Sequence, residues 1–124
     1  MDVVILGASP KPDRFANRAQ RKLRAHGHRV IPVNPAFDEV EGVPTVPFEE
    51  LSPVPQTITV YLGRDRMLPL VADIAALAPR RVILNPGADD PDVVEALQTK
   101  GVPVQLACTL VLLDEGRFDD LAVS

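Results

Sequence analysis

The chain has one cysteine, no surplus of positive charge, few glycines where a nucleotide loop would want them, and no long hydrophobic run. Each shortage excludes something. Cys108 alone cannot form an intrachain disulfide or a multi-cysteine metal site, which fits a reducing compartment. A net charge of -4 and a pI near 5.1 lack the basic footprint of a nucleic-acid binder and argue against a polyanion or membrane-surface role. The longest apolar stretch, near Leu110–Leu113, is far too short to span a bilayer. No basic segment precedes an apolar run at the N-terminus, so no signal peptide is expected and the reading is cytoplasmic.

What is present is enough for a core. The 124 residues, 46% hydrophobic, are read as one domain covering 1–124. Short β-branched runs alternate with helical patterns. Strands are expected at Val3–Leu6, Arg29–Val33, Thr57–Leu62, Arg81–Leu84 and Val102–Leu106, with "EGVPTVP" (Glu41–Pro47) as a short edge strand because prolines are tolerated there. Phe15, Ala19 and Leu23 recur every four residues and predict a helix over Phe15–His26, ended by Gly27. One helical turn is expected at Phe48–Leu51, and Val71, Ile74 and Leu77 mark a helix near Leu68–Ala78, whose start Pro69 blurs. A last helix is bracketed by Asp90 as N-cap, Pro91 at its first position and Gly101 after its end. Leu110–Leu113 reads as a sixth short strand or a packed tail, and "GRFDDLAVS" as a frayed end.

Strands alternating with helices imply right-handed βαβ units and an α/β, Rossmann-like, doubly wound parallel sheet of about five strands in the order 3-2-1-4-5, with helices on both faces. In such sheets ligands sit beyond the carboxyl ends of the strands, at the switch point. Four loops meet there: Gly7–Arg14, Asn34–Pro35, Gly63–Arg64 and Asn85–Gly87. The first has Gly7 for a sharp turn, the Ser9 hydroxyl, and Lys11, Arg14 and Arg18 around a helix start, the composition of an anion cradle. The last helix begins among Asp89, Asp90 and Asp92, which complement its dipole and would repel a phosphate.

The dinucleotide fingerprint needs G-x-G-x-x-G and an acid at the end of the second strand. Here Gly7-Ala8-Ser9-Pro10-Lys11-Pro12 lacks two of the glycines, and Val33-Asn34-Pro35 offers no carboxylate. Both departures weigh against NAD. Cys108 reads as a small hydrophobe, since no basic neighbour would lower its pKa. Tyr61 reads as core. His26 and His28 have no partner motif that would make a metal site, and no nucleophile is paired with a base, so no catalytic residue is assigned.

The ordered set "GASPKPDR", "GHRVIPVNP" and "GVPTVPFEEL" resembles the small single-domain CoA-binding proteins, relatives of the CoA-binding part of the succinyl-CoA synthetase alpha subunit, from about Val3 to Leu113. The resemblance implies a Rossmann-like domain that binds coenzyme A or an acyl-CoA without catalytic apparatus. By position, Gly7, Ala8, Ser9 and Pro10, with Lys11 and Arg14, would face the diphosphate. Asn34 and Pro35 would border the adenosine, and Gly63, Arg64, Asn85, Pro86 and Gly87 the pantetheine. Where relatives often place a base after Asn-Pro, this chain has Ala36 and Phe37, so dephospho-CoA is expected to bind nearly as well as CoA. Many relatives also read more like "LQLG" where this chain has "LNPG". The alternative class is an enzyme: a nicotinamide-dinucleotide oxidoreductase, or a CoA-dependent transferase subunit whose partner chain completes the site.

Overall fold

A computed structural model describes residues 1–122. Five strands form one parallel sheet: β1 (Asp2–Leu6), β2 (Arg29–Val33), β5 (Thr57–Val60), β6 (Val82–Leu84) and β7 (Val104–Leu106), in the order β2-β1-β5-β6-β7. The chain runs outward from β1 to β2, then returns past β1 and winds the other way. This is the expected 3-2-1-4-5 winding. In the third place stands a small antiparallel ribbon, β3 (Glu39–Val40) with β4 (Val43–Pro44), instead of the expected strand over Glu41–Pro47. Its prolines limit ladder donors, and only Val46 N–H reaches β2, donating to the Pro32 carbonyl at 3.0 Å.

The strands are apolar throughout because both sheet faces are covered. Alternate residues of β1 feed opposite layers. Val3 and Ile5 pack with Leu23 of α1 (Phe15–Ala25) and Leu112 and Leu113 of α5 (Thr109–Asp114). Val4 and Leu6 pack with Val71 and Ile74 of α3 (Val71–Leu77) and Val93 and Leu97 of α4 (Pro91–Thr99). The α4 start is as expected: Asp90 Oδ1 accepts the Asp92 N–H at 2.9 Å with Pro91 at the first position.

Four local expectations are corrected. Leu110–Leu113 is helical, since a four-residue apolar run carries no period, and α5 buries Thr109, Leu112 and Leu113 on one side. The expected frayed end is anchored at Phe118, which is 2% exposed and lies 4.6 Å from the buried Arg81 guanidinium; residues 123 and 124 lie outside the described residues. Phe15 is not on the buried stripe of α1 but 61% exposed. The helix expected over Leu68–Ala78 is two pieces, a 3-10 turn at Leu68–Leu70 around Pro69 and then α3, and a further short helix, α2 (Arg64–Met67), precedes them. The turn expected at Phe48–Leu51 is a 3-10 turn over Phe48–Glu50.

Candidate functional site

The first loop is fixed by Gly7. Its φ is +87°, and a Cβ there would sit 3.0 Å from Leu62 Cδ2 and 3.2 Å from the Tyr61 carbonyl carbon. Only glycine lets the β1–α1 loop pass so close to the segment after β5. The amides of Gly7 and Ala8 both donate to the Val33 carbonyl, at 3.1 and 3.3 Å. Lys11 N–H donates to Ser9 Oγ at 3.2 Å, and Pro10 has no N–H. The loop's own amides are therefore largely spent. The donors without an acceptor among the described residues are the loop amides of Ser9 and Asp13 and those of the first turn of α1, at Phe15, Ala16 and Asn17. Arg14, at the N-cap, provides no side-chain cap, and no acid occupies the first turn. At α4 the reverse holds: Asp90 caps it, Asp92 follows, and Asp89 Oδ1 accepts the Gly87 N–H at 3.2 Å. Of the two helix ends, that of α1 keeps its donors free of any carboxylate.

Two asparagines latch this loop. Asn34 Nδ2 donates to the Ala8 carbonyl at 2.8 Å while its Oδ1 accepts the Ala36 N–H at 2.9 Å. Asn17, fully buried, donates from Nδ2 to the Ser9 carbonyl and to Glu41 Oε1, each at 2.9 Å, and accepts from Arg21 Nε at 2.8 Å. A single asparagine in the first turn of a helix carries no sequence signature of such a latch, and the sequence pattern does not single out Asn17. Its effect is to hold the loop open against the helix that receives it.

Two cavities adjoin at the switch point. One is an apolar slot of about 210 Å³ between Val33, Pro35, Phe48, Leu62 and Leu70. The other is a polar cleft of about 440 Å³, with Ala8, Ser9, Lys11, Arg14 and Phe15 on one side and Tyr61, Pro86 and Gly87 on the other. Gly7, Asn34, Leu62 and Arg66 line both. No carboxylate lines either cavity, although the chain as a whole is acidic. Lys11, Arg14 and Arg66 are the cations, and none forms an ion pair among the described residues. Phe37, 39% exposed, also lines the cleft.

The structure therefore brings together Gly7, Ala8, Ser9, Lys11, Arg14, Asn34, Pro35, Pro86 and Gly87 of the sequence-derived set, and leaves others apart. Pro10 and Gly63 line neither cavity. Arg64 is spent elsewhere, with Nε 2.9 Å from Asp92 Oδ2 and a second nitrogen 3.0 Å from Asp65 Oδ1. Arg66, two residues on, takes its place. Asn85 lies under the cleft, 2% exposed, donating to Thr59 Oγ1 at 2.7 Å and the Val60 carbonyl at 2.9 Å and accepting the Thr109 N–H at 2.9 Å.

Tyr61, read as core, is half-buried and lines the cleft. Burial pushes its phenol up to about 12, so it is a protonated donor at any physiological pH. Cys108, read as a buried hydrophobe, is partly exposed at the N-cap of α5 and lines neither cavity. His28, at the far end of the sheet, has Nε2 3.2 Å from Asp119 Oδ1 and meets Phe118 edge-on at 5.0 Å.

Comparison with known proteins bears on this geometry. The profile of the family described as CoA binding domain matches residues 2–114. An uncharacterized protein, YneT of Bacillus subtilis (strain 168), is 32% identical over 71 residues, which is 57% of this chain and 53% of that protein. The match thus spans about half the length of this curated relative. A crystal structure of an uncharacterized protein superposes with a TM-score of 0.83 at 36% identity, over 94% of this chain and 97% of the other. Cell-free ID.343 from Thermus thermophilus gives 0.80 at 31%, over 94% and 89%. The dinucleotide-forming acetyl-coenzyme A synthetase 1 of Ca. Korarchaeum cryptofilum, in complex with phosphate and ADP, shares the fold at 19% identity, with a TM-score of 0.70 over 86% of this chain and 25% of that one.

Proposed function

Because the chain belongs to the CoA binding domain family, we propose that it binds coenzyme A or an acyl-CoA as a non-catalytic module at the carboxyl ends of its strands. One observation carries the placement: an apolar slot adjoins a cleft lined by no carboxylate and by three cations that have no ion pair among the described residues. The ligand has the same order of parts, a flat apolar adenine followed by a polyanionic diphosphate. The adenine fills the slot between Pro35, Phe48 and Leu62. The diphosphate lies over the first turn of α1, where free amides, the helix dipole, Lys11 and Arg14 converge. The pantetheine then leaves past Tyr61, Pro86 and Gly87. The non-catalytic reading rests on the cleft's chemistry. Ser9 is its serine, its hydroxyl already accepts the Lys11 amide, and no histidine, aspartate or glutamate lines the cleft to act as its base.

Titration calorimetry with CoA, NAD and NADP tests the proposal. CoA is expected to bind tightest, because β2 ends in Asn34-Pro35 with no carboxylate for a nicotinamide-dinucleotide ribose. NAD binding tighter than CoA would favour the oxidoreductase alternative instead.

The phosphate placement has its own check. A hydrogen bond to a charged group corresponds to roughly 10- to 150-fold in affinity. Arg14→Ala is expected to weaken CoA by an amount in that range. Arg24→Ala should bind like the parent, since Arg24 lies at the other end of α1 and donates to the Glu41 carbonyl at 3.2 Å. The reverse pattern would put the phosphates elsewhere.

A further inference from the structure

Resting on the CoA reading above, we infer that Arg66 recognises the 3′-phosphate of the adenosine ribose and sets a preference for CoA over dephospho-CoA. The argument is topological. The ribose joins the adenine to the diphosphate, so with the adenine in the slot and the diphosphate over α1, the ribose must cross the boundary between the two cavities. That boundary is made by Gly7, Asn34, Leu62 and Arg66, the residues common to both. The Gly7 amide is bound to the Val33 carbonyl, and both ends of the Asn34 side chain are bound to backbone. Leu62 is apolar. Asn34 Nδ2 keeps one N–H to spare, but Arg66 is the boundary's one charge, and its guanidinium has no hydrogen-bond or ion-pair partner among the described residues.

Arg66 also stands on the right wall. Lys11 and Arg14 approach the cleft from the β1–α1 loop, whereas Arg66 comes from α2 on the far side of Gly7. Its direction is set by the neighbouring Met67, which is fully buried, while Arg64 is held away by Asp65 and Asp92. A planar guanidinium with a free fork suits a phosphate monoester. The expectation drawn from Ala36 and Phe37, that the 3′-phosphate goes unread, considered only the segment after Asn34-Pro35. The charge missing from that segment is supplied from α2.

The test is a double-mutant cycle between side chain and ligand group, read by calorimetry. The wild-type protein should bind CoA on the order of 10-fold more tightly than dephospho-CoA. Arg66→Gln should lose that ratio by weakening CoA toward the dephospho-CoA value. Arg66→Lys should restore part of it. Arg14→Ala should weaken both ligands alike and keep the ratio, because both carry the diphosphate. Equal wild-type binding of CoA and dephospho-CoA would overturn the inference while leaving the CoA reading standing. So would Arg66→Gln weakening both ligands by the same factor, which would make Arg66 a diphosphate contact. Failure of the wild-type protein to bind either ligand would remove the CoA reading itself, and this inference with it.

Discussion

Replacing Gly7 by alanine is expected to lower stability by about 2–5 kcal/mol and to weaken CoA binding more than roughly tenfold. Two costs combine. A side chain at φ +87° is in left-handed backbone space, which costs about 1–3 kcal/mol. The new Cβ would also meet Leu62 Cδ2 at 3.0 Å and the Tyr61 backbone at 3.2 Å. The leucine tip can turn aside, but the Tyr61 carbonyl carbon belongs to the chain leaving β5 and cannot. The β1–α1 loop would have to lift, breaking the paired amide bonds from Gly7 and Ala8 to Val33 and displacing Arg14 and the first turn of α1. For a domain of this size the melting temperature should fall by about 10 °C. Gly63→Ala is the matched control. Its φ is -74° and nothing lies within 4 Å of the added carbon, so it should melt and bind like the parent. A Gly7→Ala protein with parental melting and affinity would mean that the loop does not need this close approach.

The parts of the fold that were legible in sequence are those with punctuation. Val3–Leu6 followed by Gly7, Val33 followed by Asn34-Pro35, and Asp90-Pro91 before an amphipathic helix each pair a periodic run with a residue that can only stop or start it. From these the winding of the sheet follows, and with it the four loops of the crevice. What was illegible depended on rotation or on lone residues. Arg64 and Arg66 are equivalent in composition. Which one faces the cleft is decided by Met67 turning inward and by Asp92 arriving from α4, both tertiary facts. Phe118 sits in an acidic, outwardly polar stretch, and its anchor is Arg81, a buried cation whose pKa is lowered by desolvation. No local pattern announces that an arginine at the start of a strand will be buried, donating to Thr57 Oγ1 and to the Asp120 carbonyl.

Asn85 separates support from contact, because sequence position puts it in the crevice and the structure puts it below. Asn85→Leu keeps the branched outline in a larger side chain but removes every side-chain hydrogen-bonding group. The buried Thr109 N–H at the start of α5 loses its acceptor, and the Val60 carbonyl and Thr59 Oγ1 lose a donor. Thr59 and Thr109 can still bond each other through their hydroxyls, at 2.8 Å, and the Val60 carbonyl keeps the backbone N–H of residue 85 at 3.4 Å, so only the Thr109 N–H is left without a partner. That unsatisfied buried group costs about 1–3 kcal/mol and overpacking by the larger leucine about as much, together roughly 3–5 kcal/mol. Thermal melts should therefore shift down by about 10 °C or more. Below the transition the outcome differs from that of Gly7→Ala. Pro86 and Gly87 line the cleft from their own backbone, and neither Lys11 nor Arg14 depends on Asn85. The folded variant should accordingly bind CoA within a few-fold of the parent at low temperature. A parental melting curve would show the three bonds to be dispensable. A parental melting curve combined with a large loss of CoA affinity would instead make Asn85 a ligand contact, as its place in the fourth loop first suggested.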